Sequence, residues 1–347
     1  MAKRRAGIIG IGSIAALSYG EPDDAAPYNH AGGLAASDRV ELVAVADLLK
    51  DKQERFGAKW GPTFPHVRTY DSGAEMLAAE ELDVVAVCVR GPDHYAVMKE
   101  TLAAAPKAIF LEKPPTCSLA QADELLAEGA AKGIPITVSY SRHWSPKVLR
   151  MEQLVKEGLI GEVLTVVGYV GGTVLSFASH VTDLICQFAG YCPTAVFAHG
   201  RVPELPAEAR PGHGPEPTLD SMQIEFDNGV AGVQIGRLGK GTPSFHCEVF
   251  GTEGMARAGI YIETYAQGAD GKPIDLSQRG IPPEVSVFTV AYGQIADCLD
   301  GGPLPDCTNG NFLTVHEIGF AAVESILTGR RIELPNANRA RLIFANG

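Results

Sequence analysis

"AGIIGIGSIAA" (residues 6–16) joins an apolar strand to a glycine-rich turn, and this junction decides the fold of the first part of the chain. Gly10, Gly12 and Ala15 form the pattern G-x-G-x-x-A. In dinucleotide-binding folds the first glycine permits the tight turn, the second lets the backbone approach a pyrophosphate, and the small third residue lets helix and strand pack closely. The N–H groups at the start of the following helix bind phosphate oxygens. We therefore predict a nucleotide-binding turn formed by Gly10, Gly12, Ser13, Ile14 and Ala15.

A carboxylate at the end of the second predicted strand, "VELVAVAD", extends this prediction. Asp47 is placed to accept hydrogen bonds from both ribose hydroxyls of an adenosine, and it would repel a 2′-phosphate. No arginine or serine follows directly, although Lys50 and Lys52 are near, so the sequence favours NAD over NADP. The alternative is that Asp47 only caps the next helix. Asp47 lies 35 positions after Gly12 (47 − 12), against about 20 in the usual motif, because a polar insertion occupies residues 18–29.

Short β-rich segments alternate with helical segments up to about residue 142. "LDVVAVCV" (residues 82–89) is almost continuously apolar, as expected for a strand buried on both faces. Such alternation predicts a parallel sheet with helices on both faces. We therefore predict an α/β protein with a dinucleotide-binding Rossmann domain over residues 1–142.

The pattern changes over residues 143–347. Two helical segments are followed by β-rich segments, and Asn228-Gly229 is a hairpin signal. Residues 203–217 are polar and rich in proline and glycine, which predicts a surface loop. Helices and antiparallel hairpins without βαβ alternation predict a second, α+β domain.

Composition excludes several classes of function. The chain of 347 residues has 29 basic and 41 acidic side chains, a formal charge of −12, which argues against nucleic-acid binding through phosphate neutralisation. No apolar run reaches the roughly 18 residues needed to span a membrane. Seven scattered cysteines without a CxxC pair predict free thiols in a reducing cytoplasm. The histidines show no metal-ligand spacing such as HxxxH, so we predict no metal site.

The segment "AIFLEKPPT" (residues 108–116) is an apolar run that ends in Glu112-Lys113 and then in Pro114-Pro115. The charged pair is either a solvated strand end followed by helix breakers or a functional feature. Ligands of open α/β sheets bind at the carboxyl ends of the strands, where Lys113 is predicted to lie. A cis bond before either proline is also considered.

The chain resembles the Gfo/Idh/MocA oxidoreductase family almost from end to end. The resemblance rests on "GIGSIA", "VAVAD", "GPDH", "FLEKP", "YSRHWSP", "VKEGLIGEV", "SHVTDL" and "AVESILTGRRIELP", in that order. It implies an NAD(P)-dependent enzyme that acts on a sugar or cyclitol. It also implies a C-terminal domain, residues 143–347, with a large, open, mostly antiparallel sheet that binds substrate and forms a homodimer or homotetramer.

The resemblance also implies residue roles. Glu112-Lys113-Pro114 matches the family's Glu-Lys-Pro signature, so Lys113 would donate to the reacting hydroxyl and to the nicotinamide ribose. His180, in "GGTVLSFASHVTDL", matches the family's histidine and would be the general base. Asp183 matches the aspartate that follows it; it either supports the site or makes a structural hydrogen bond. Where the family pattern has an aspartate four residues before the histidine, this chain has Ser176, which keeps a hydroxyl but lacks the charge.

Further site residues are expected in the Rossmann domain and at the domain junction. Gly91 and Pro92 are expected near the cofactor, whereas His94 lies near the nicotinamide or only begins a helix. The segment that contains Arg142, His143 and Trp144 is expected at the domain junction, where a sugar would meet an aromatic face.

Three functions are compatible with these features. The first is NAD-dependent oxidation of a sugar or cyclitol hydroxyl. The second is redox-neutral sugar chemistry with retained NAD, as in glycosidases and aldose–aldose oxidoreductases of the family. The third is a non-catalytic NAD-binding sensor, against which the presence of both Lys113 and His180 argues.

Overall fold

A computed structural model of the chain describes residues 3–346. It divides into two compact units. The first contains Met1–Thr116, Gln121–Ser139 and Val285–Asn309; the second contains Cys117–Ala120, Tyr140–Glu284 and Gly310–Gly347. The chain changes unit several times: Cys117–Ala120 and the residues from Tyr140 to Glu284 belong to the second unit, and Val285–Asn309 belongs to the first. The domain bounds 1–142 and 143–347 stay a prediction.

Six strands and five helices form the chain up to residue 139. The strands are β1 (Arg4–Ile9), β2 (Val40–Ala46), β3 (Arg68–Tyr70), β4 (Val84–Val87), β5 (Ala108–Leu111) and β6 (Ile136–Val138). The helices are α1 (His30–Ala35), α2 (Lys50–Trp60), α3 (Gly73–Ala79), α4 (Gly91–Ala104) and α5 (Leu119–Lys132). A π-helix at Ser13–Leu17 follows the glycine turn.

The six strands form one parallel sheet in the order β3-β2-β1-β4-β5-β6. This is the strand order of dinucleotide-binding folds, and it confirms the predicted Rossmann architecture. All four residues of β4 are fully buried, as its continuous apolar sequence predicts. In the register Ile9 lies beside Ala46 and Val87, and Val87 lies beside Leu111. The residues that follow β1, β2, β4 and β5 therefore share the carboxyl edge of the sheet.

The remaining elements follow in chain order. They are a 3₁₀ helix (Ser141–Trp144), α6 (Pro146–Lys156), β7 (Val163–Tyr169), a second π-helix (Val174–Ala178), α7 (Ser179–Ala189), β8 (Pro193–Arg201), β9 (Gly214–Pro215), β10 (Thr218–Phe226), β11 (Ala231–Ile235), β12 (His246–Gly251), β13 (Gly254–Gly259), β14 (Tyr265–Gly268), α8 (Val287–Leu299), α9 (Gly310–Thr328), β15 (Ile332–Glu333) and β16 (Ile343–Phe344). Of these, α8 belongs to the first unit.

Eight strands of the second unit form a sheet in the order β14-β13-β12-β7-β11-β10-β8-β15. Its pairs are antiparallel except for β7 and β11, which confirms the predicted, mostly antiparallel sheet. The predicted hairpin at Asn228-Gly229 joins β10 to β11, and Gly229 has a φ of 82°. Helices α6, α7 and α9 pack on the sheet. A Cβ atom on Gly168 of β7 would meet Val181 and Ile185 of α7, so Gly168 lets this helix approach closely.

Two further sequence observations have structural counterparts. All seven cysteines are free thiols. Among the helices of residues 3–346, none combines the length and the apolar composition that crossing a membrane requires.

Candidate active site

The turn after β1 is shaped by its two glycines in different ways. Gly10 has a φ of 91°, and a Cβ atom there would lie 2.8 Å from the backbone of Cys88, so only glycine fits. Gly12 is extended, with a φ of −94°, and the nearest atom to a Cβ there is the Cys88 oxygen at 4.0 Å. Neither strain nor protein packing requires a glycine at position 12. The space beside it fits a ligand group that approaches the backbone, such as a phosphate.

The segment that follows the glycine turn differs from the predicted helix. It is a π-helix of five residues, in which Ser13 is exposed, Ile14 is half-buried and Ala15 is buried. The polar insertion follows, and Asn29 closes it by donating from Nδ2 to the carbonyl oxygens of Ser18 and Gly20. The sequence correctly predicted an interruption at 18–29 but not the π-helical geometry.

Asp47 follows β2 at the carboxyl edge and is bonded to the glycine turn. Its Oδ2 accepts from the Ile11 N–H at 2.7 Å and lies 3.4 Å from Lys52 Nζ, while its Oδ1 accepts from the Leu49 N–H at 3.0 Å. The bond to Leu49 agrees with a capping role before α2, and the bond to Ile11 couples the carboxylate to the glycine turn. A carboxylate has about four acceptor sites, so these three contacts leave about one site for a ribose hydroxyl.

Glu112 follows β5 and is buried in a polar cluster that the sequence analysis missed. Its Oε1 lies 3.1 Å from His30 Nε2, and His30 Nδ1 lies 2.8 Å from the Tyr292 hydroxyl. Because an ionised carboxylate only accepts, the hydrogen-bond network assigns the ring proton to Nε2 and lets Nδ1 accept from Tyr292. Burial acts to raise the pKa of Glu112, but the hydrogen bond and electrostatic interaction with the His30 ring, followed by the charge of Lys113, outweigh it and lower this pKa.

Lys113 is half-buried, and its backbone N–H donates to Glu112 Oε2 at 3.2 Å. The Lys113–Pro114 bond is cis, one of the two possibilities that the sequence left open. His94, in the first turn of α4, is fully buried between the Pro114 oxygen (2.7 Å from Nδ1) and the Val89 oxygen (2.9 Å from Nε2). Burial lowers the pKa of His94. His94 therefore links the segments after β4 and β5, and Gly91 and Pro92 form the start of the same helix.

In the second unit, His180 lies in the first turn of α7 and is almost completely buried. Arg142 Nη1 donates to His180 Nε2 at 3.0 Å, and its guanidinium lies over the Phe245 ring at 4.3 Å. Because arginine can only donate, Nε2 carries no proton in this arrangement. His180 thus presents an unprotonated nitrogen held by a cation.

Aromatic side chains lie beside this pair. Phe245 contacts Phe177 and Tyr261 edge-on or tilted, and these two rings are 48% and 63% exposed. The sequence pointed to Trp144 as the aromatic face for a sugar, but Trp144 is fully buried. Phe177 and Tyr261 are the exposed rings near His180.

Asp183 lies one turn after His180 and is fully buried. Its Oδ2 accepts from His143 Nδ1 at 2.8 Å, and its Oδ1 accepts from the Tyr191 hydroxyl at 2.9 Å. These bonds orient His143, which the sequence had placed only in a possible sugar-binding segment. The role of Asp183 as a catalytic residue beside His180 stays a prediction.

Ser176 is bonded to a carboxylate from a distant segment. Ser176 Oγ donates to Glu216 Oε2 at 2.7 Å, and the Leu175 and Ser176 N–H groups donate to Oε1 at 2.6 Å each. Glu216 belongs to the end of the segment 203–217, where the sequence indicated only a surface loop. No signal in the sequence distinguishes Glu216 from the exposed Glu204 and Glu208 of the same segment.

Comparisons with known proteins agree with this architecture. Residues 4–140 match a family described as an oxidoreductase family with an NAD-binding Rossmann fold. The chain is 26% identical to the NAD(+)-dependent scyllo-inositol 2-dehydrogenase of Bacillus subtilis, over 88% of this chain and 93% of that protein. It is 25% identical to the NADP(+)-dependent D-xylose 1-dehydrogenase of Haloarcula marismortui, over 80% and 79%.

A solved structure shares the fold of both units. The aldose-aldose oxidoreductase of Caulobacter crescentus, solved with glycerol, has a TM-score of 0.75 and is 18% identical, over 96% of this chain and 100% of that one. At this level of identity the likeness concerns the fold.

Proposed function

We propose that this chain, whose residues 4–140 match the Gfo/Idh/MocA oxidoreductase family, catalyses the reversible NAD-dependent oxidation of a hydroxyl group on a sugar or cyclitol. The observation that carries the proposal is the carboxyl edge of the parallel sheet. There the open space at Gly12, the Asp47 carboxylate and the Lys113 ammonium follow three strands of one sheet. Bound NAD would accept a hydride from the substrate carbon.

In this proposal Lys113 donates a hydrogen bond to the reacting oxygen. Its charge favours the alkoxide character that develops as the hydride leaves, since a fixed cation stabilises developing negative charge. Glu112, buried directly before it, holds the Lys113 backbone N–H and is itself held by His30. The backbone of Lys113 is therefore held in a fixed position at the end of β5.

His180 is proposed to take the proton from the substrate hydroxyl at Nε2. Arg142 occupies that nitrogen as a donor, so the substrate hydroxyl has to replace the guanidinium there. The exposed rings of Phe177 and Tyr261 offer apolar surface for the carbon-bound face of a sugar ring. Asp183 supports this site through His143.

The test is NADH production on a panel of sugars and cyclitols, with the protein first freed of bound nucleotide. Substrate-dependent NADH formation supports the proposal. Catalysis that leaves retained NAD in its starting redox state would support the redox-neutral alternative. Nucleotide binding without turnover on any member of the panel would support the sensor.

The cofactor choice is proposed to be NAD. Replacing Asp47 by alanine removes an acceptor for the ribose hydroxyls and the charge that repels a 2′-phosphate. We expect NAD affinity to fall roughly 10- to 100-fold, the value of one hydrogen bond to a charged group, and the preference over NADP to narrow. Fluorescence titration with NADH and NADPH measures both. Asp51→Ala, an exposed carboxylate on α2, is the matched control. Equal or tighter binding of NADPH by the wild type would contradict the proposal.

A homodimer or homotetramer formed through the large sheet is also proposed. Gly168 faces α7, so its neighbours Val167 and Tyr169 lie on the opposite face, and Val233 and Ile235 lie beside them in register. These four side chains are half-buried. Replacing Val233 by glutamate is expected to weaken assembly at least tenfold in analytical ultracentrifugation, because a charge would be buried in an apolar contact. An unchanged sedimentation profile, or a monomeric wild type, would contradict this interface.

The free thiols support a cytoplasmic location.

A further inference from the structure

Glu216 is a buried carboxylate near the end of a loop whose first part is exposed. The residues from Arg201 to Glu208 are exposed, whereas Glu216 is 7% exposed. Both sides of Glu216 are fixed to the second unit. Pro215 pairs with Phe344 in the short ladder of β9 and β16, and the Pro217 oxygen accepts from the Val174 N–H at 2.9 Å. The loop therefore delivers this one carboxylate to a fixed position.

Three of the donors that hold Glu216 belong to one helical turn, and the Thr173 side chain just before it is a further donor. The Leu175 and Ser176 N–H groups and the Ser176 hydroxyl lie 2.6, 2.6 and 2.7 Å from its oxygens. The first N–H groups of a helix have no partner inside the helix, and a negative charge at this end is favourable. Burial raises the pKa of Glu216, and the bonds from Ser176, Leu175 and Thr173 reduce this shift without cancelling it.

His180 follows on the same run of helix. The π-helix Val174–Ala178 continues directly into α7, because Ala178 is in the right-handed helical conformation. Ser176 and His180 are thus about one turn apart. Any displacement of the turn that Glu216 holds is transmitted to the imidazole through continuous helical backbone.

We propose that Glu216 is a positioning residue for His180: its carboxylate, supplied from a remote segment, fixes the turn on which this histidine depends. The proposal rests on the proposed function, in which His180 accepts the substrate proton. It also gives the loop 203–217 a function, because the loop carries the side chain that completes the start of the His180 helix.

The proposal predicts that a carboxylate at position 176 can replace the carboxylate of Glu216. Glu216→Ala removes the bonds that this carboxylate accepts, and we expect kcat to fall about 10- to 100-fold, as for a small misplacement of a reacting group. NAD affinity should not change, since the nucleotide-binding turn is in the other unit. Ser176→Asp alone places a second carboxylate within hydrogen-bond distance of Glu216 and should also impair turnover. The double variant Ser176→Asp/Glu216→Ala carries one carboxylate at the same turn. We expect its kcat to be at least tenfold higher than that of Glu216→Ala.

Matched variants separate positioning from a general loss of structure. Glu208→Ala removes an exposed carboxylate from the same loop and should keep the wild-type kcat. Thermal unfolding of every variant shows whether it is folded. A folded Glu216→Ala protein with a kcat within about twofold of wild type, or a double variant no more active than Glu216→Ala, would overturn the proposal.

A second measurement does not depend on turnover. In the NMR spectrum of protein with ¹⁵N-labelled histidine, the His180 ring signals, assigned with His180→Gln, should move in Glu216→Ala and return toward wild type in the double variant. Unchanged His180 signals would refute positioning even if the enzyme is active. Shifted signals in a protein that oxidises none of the sugars or cyclitols would support positioning while the proposed function fails.

Discussion

Replacing Lys113 by alanine is expected to lower kcat by roughly 10²–10³, the usual cost of removing one group that stabilises developing charge. The lysine follows β5 at the carboxyl edge of the sheet, and its backbone is fixed by the buried Glu112. Its ammonium is proposed to act on the reacting oxygen only as negative charge develops there. The affinity for NAD should therefore change far less than kcat. Steady-state kinetics on the active substrate and nucleotide titration measure the two effects separately.

Lys107 provides a matched control, because it lies just before the same strand at the opposite edge of the sheet. Its ammonium lies 2.6 Å from Asp83 and is largely exposed. Lys107→Ala should leave kcat unchanged, since an exposed ion pair contributes little. Near-normal turnover of Lys113→Ala would show that Glu112-Lys113 is only a polar strand end.

The Rossmann architecture was predictable because its determinants are local. Each strand of the parallel sheet is a short apolar run, and the turn after β1 needs glycine at position 10 for a positive φ beside the Cys88 backbone. The register then brings Asp47 and Lys113 to one edge without further information. A resemblance over ordered motifs was enough to predict the second, mostly antiparallel sheet.

The partners of the site residues were not predictable, because they come from segments remote in sequence. His30 follows the polar insertion and Tyr292 belongs to α8, yet His30 bonds to Glu112 after β5 and Tyr292 bonds to His30. Glu216 reaches Ser176 from a loop whose composition indicates only exposure to solvent. The local sequence of one segment does not indicate which side chain of a distant segment will contact it.

Asp183 illustrates the same limit on a single helix. Its spacing from His180 predicts that the two side chains are neighbours on α7. The structure shows that the Asp183 carboxylate bonds to His143 and Tyr191. A buried carboxylate is stabilised by the donors that surround it, and these lie on other segments, so helical spacing alone could not identify them.

The Tyr292–His30–Glu112 cluster is expected to contribute strongly to stability. Glu112→Ala leaves the His30 Nε2–H and the Lys113 N–H without their acceptor in a buried site. Leaving a buried donor without its acceptor costs about 1–3 kcal/mol of unfolding free energy for each donor. Urea denaturation of the wild type and the variant measures this loss, and Glu100→Ala, an exposed glutamate on α4, is the control. A loss no larger than that of the control would contradict the role of the cluster.

The pH dependence of stability identifies Glu112 as the source of this loss. Its pKa is lower in the folded protein than the value of about 4.3 in an unfolded chain, because the His30 bond outweighs the effect of burial. The stabilisation is therefore fully present above the unfolded pKa, and it is lost as the pH falls through the folded pKa, where the carboxylate takes up a proton. We expect the difference in unfolding free energy between wild type and Glu112→Ala to shrink over this acid range and to stay constant near neutral pH. Tyr292→Phe keeps the carboxylate and should retain the acid dependence of the wild type, although it loses the hydroxyl bond to His30. A difference between wild type and Glu112→Ala that does not change with pH would assign the loss to packing and not to the ionised carboxylate.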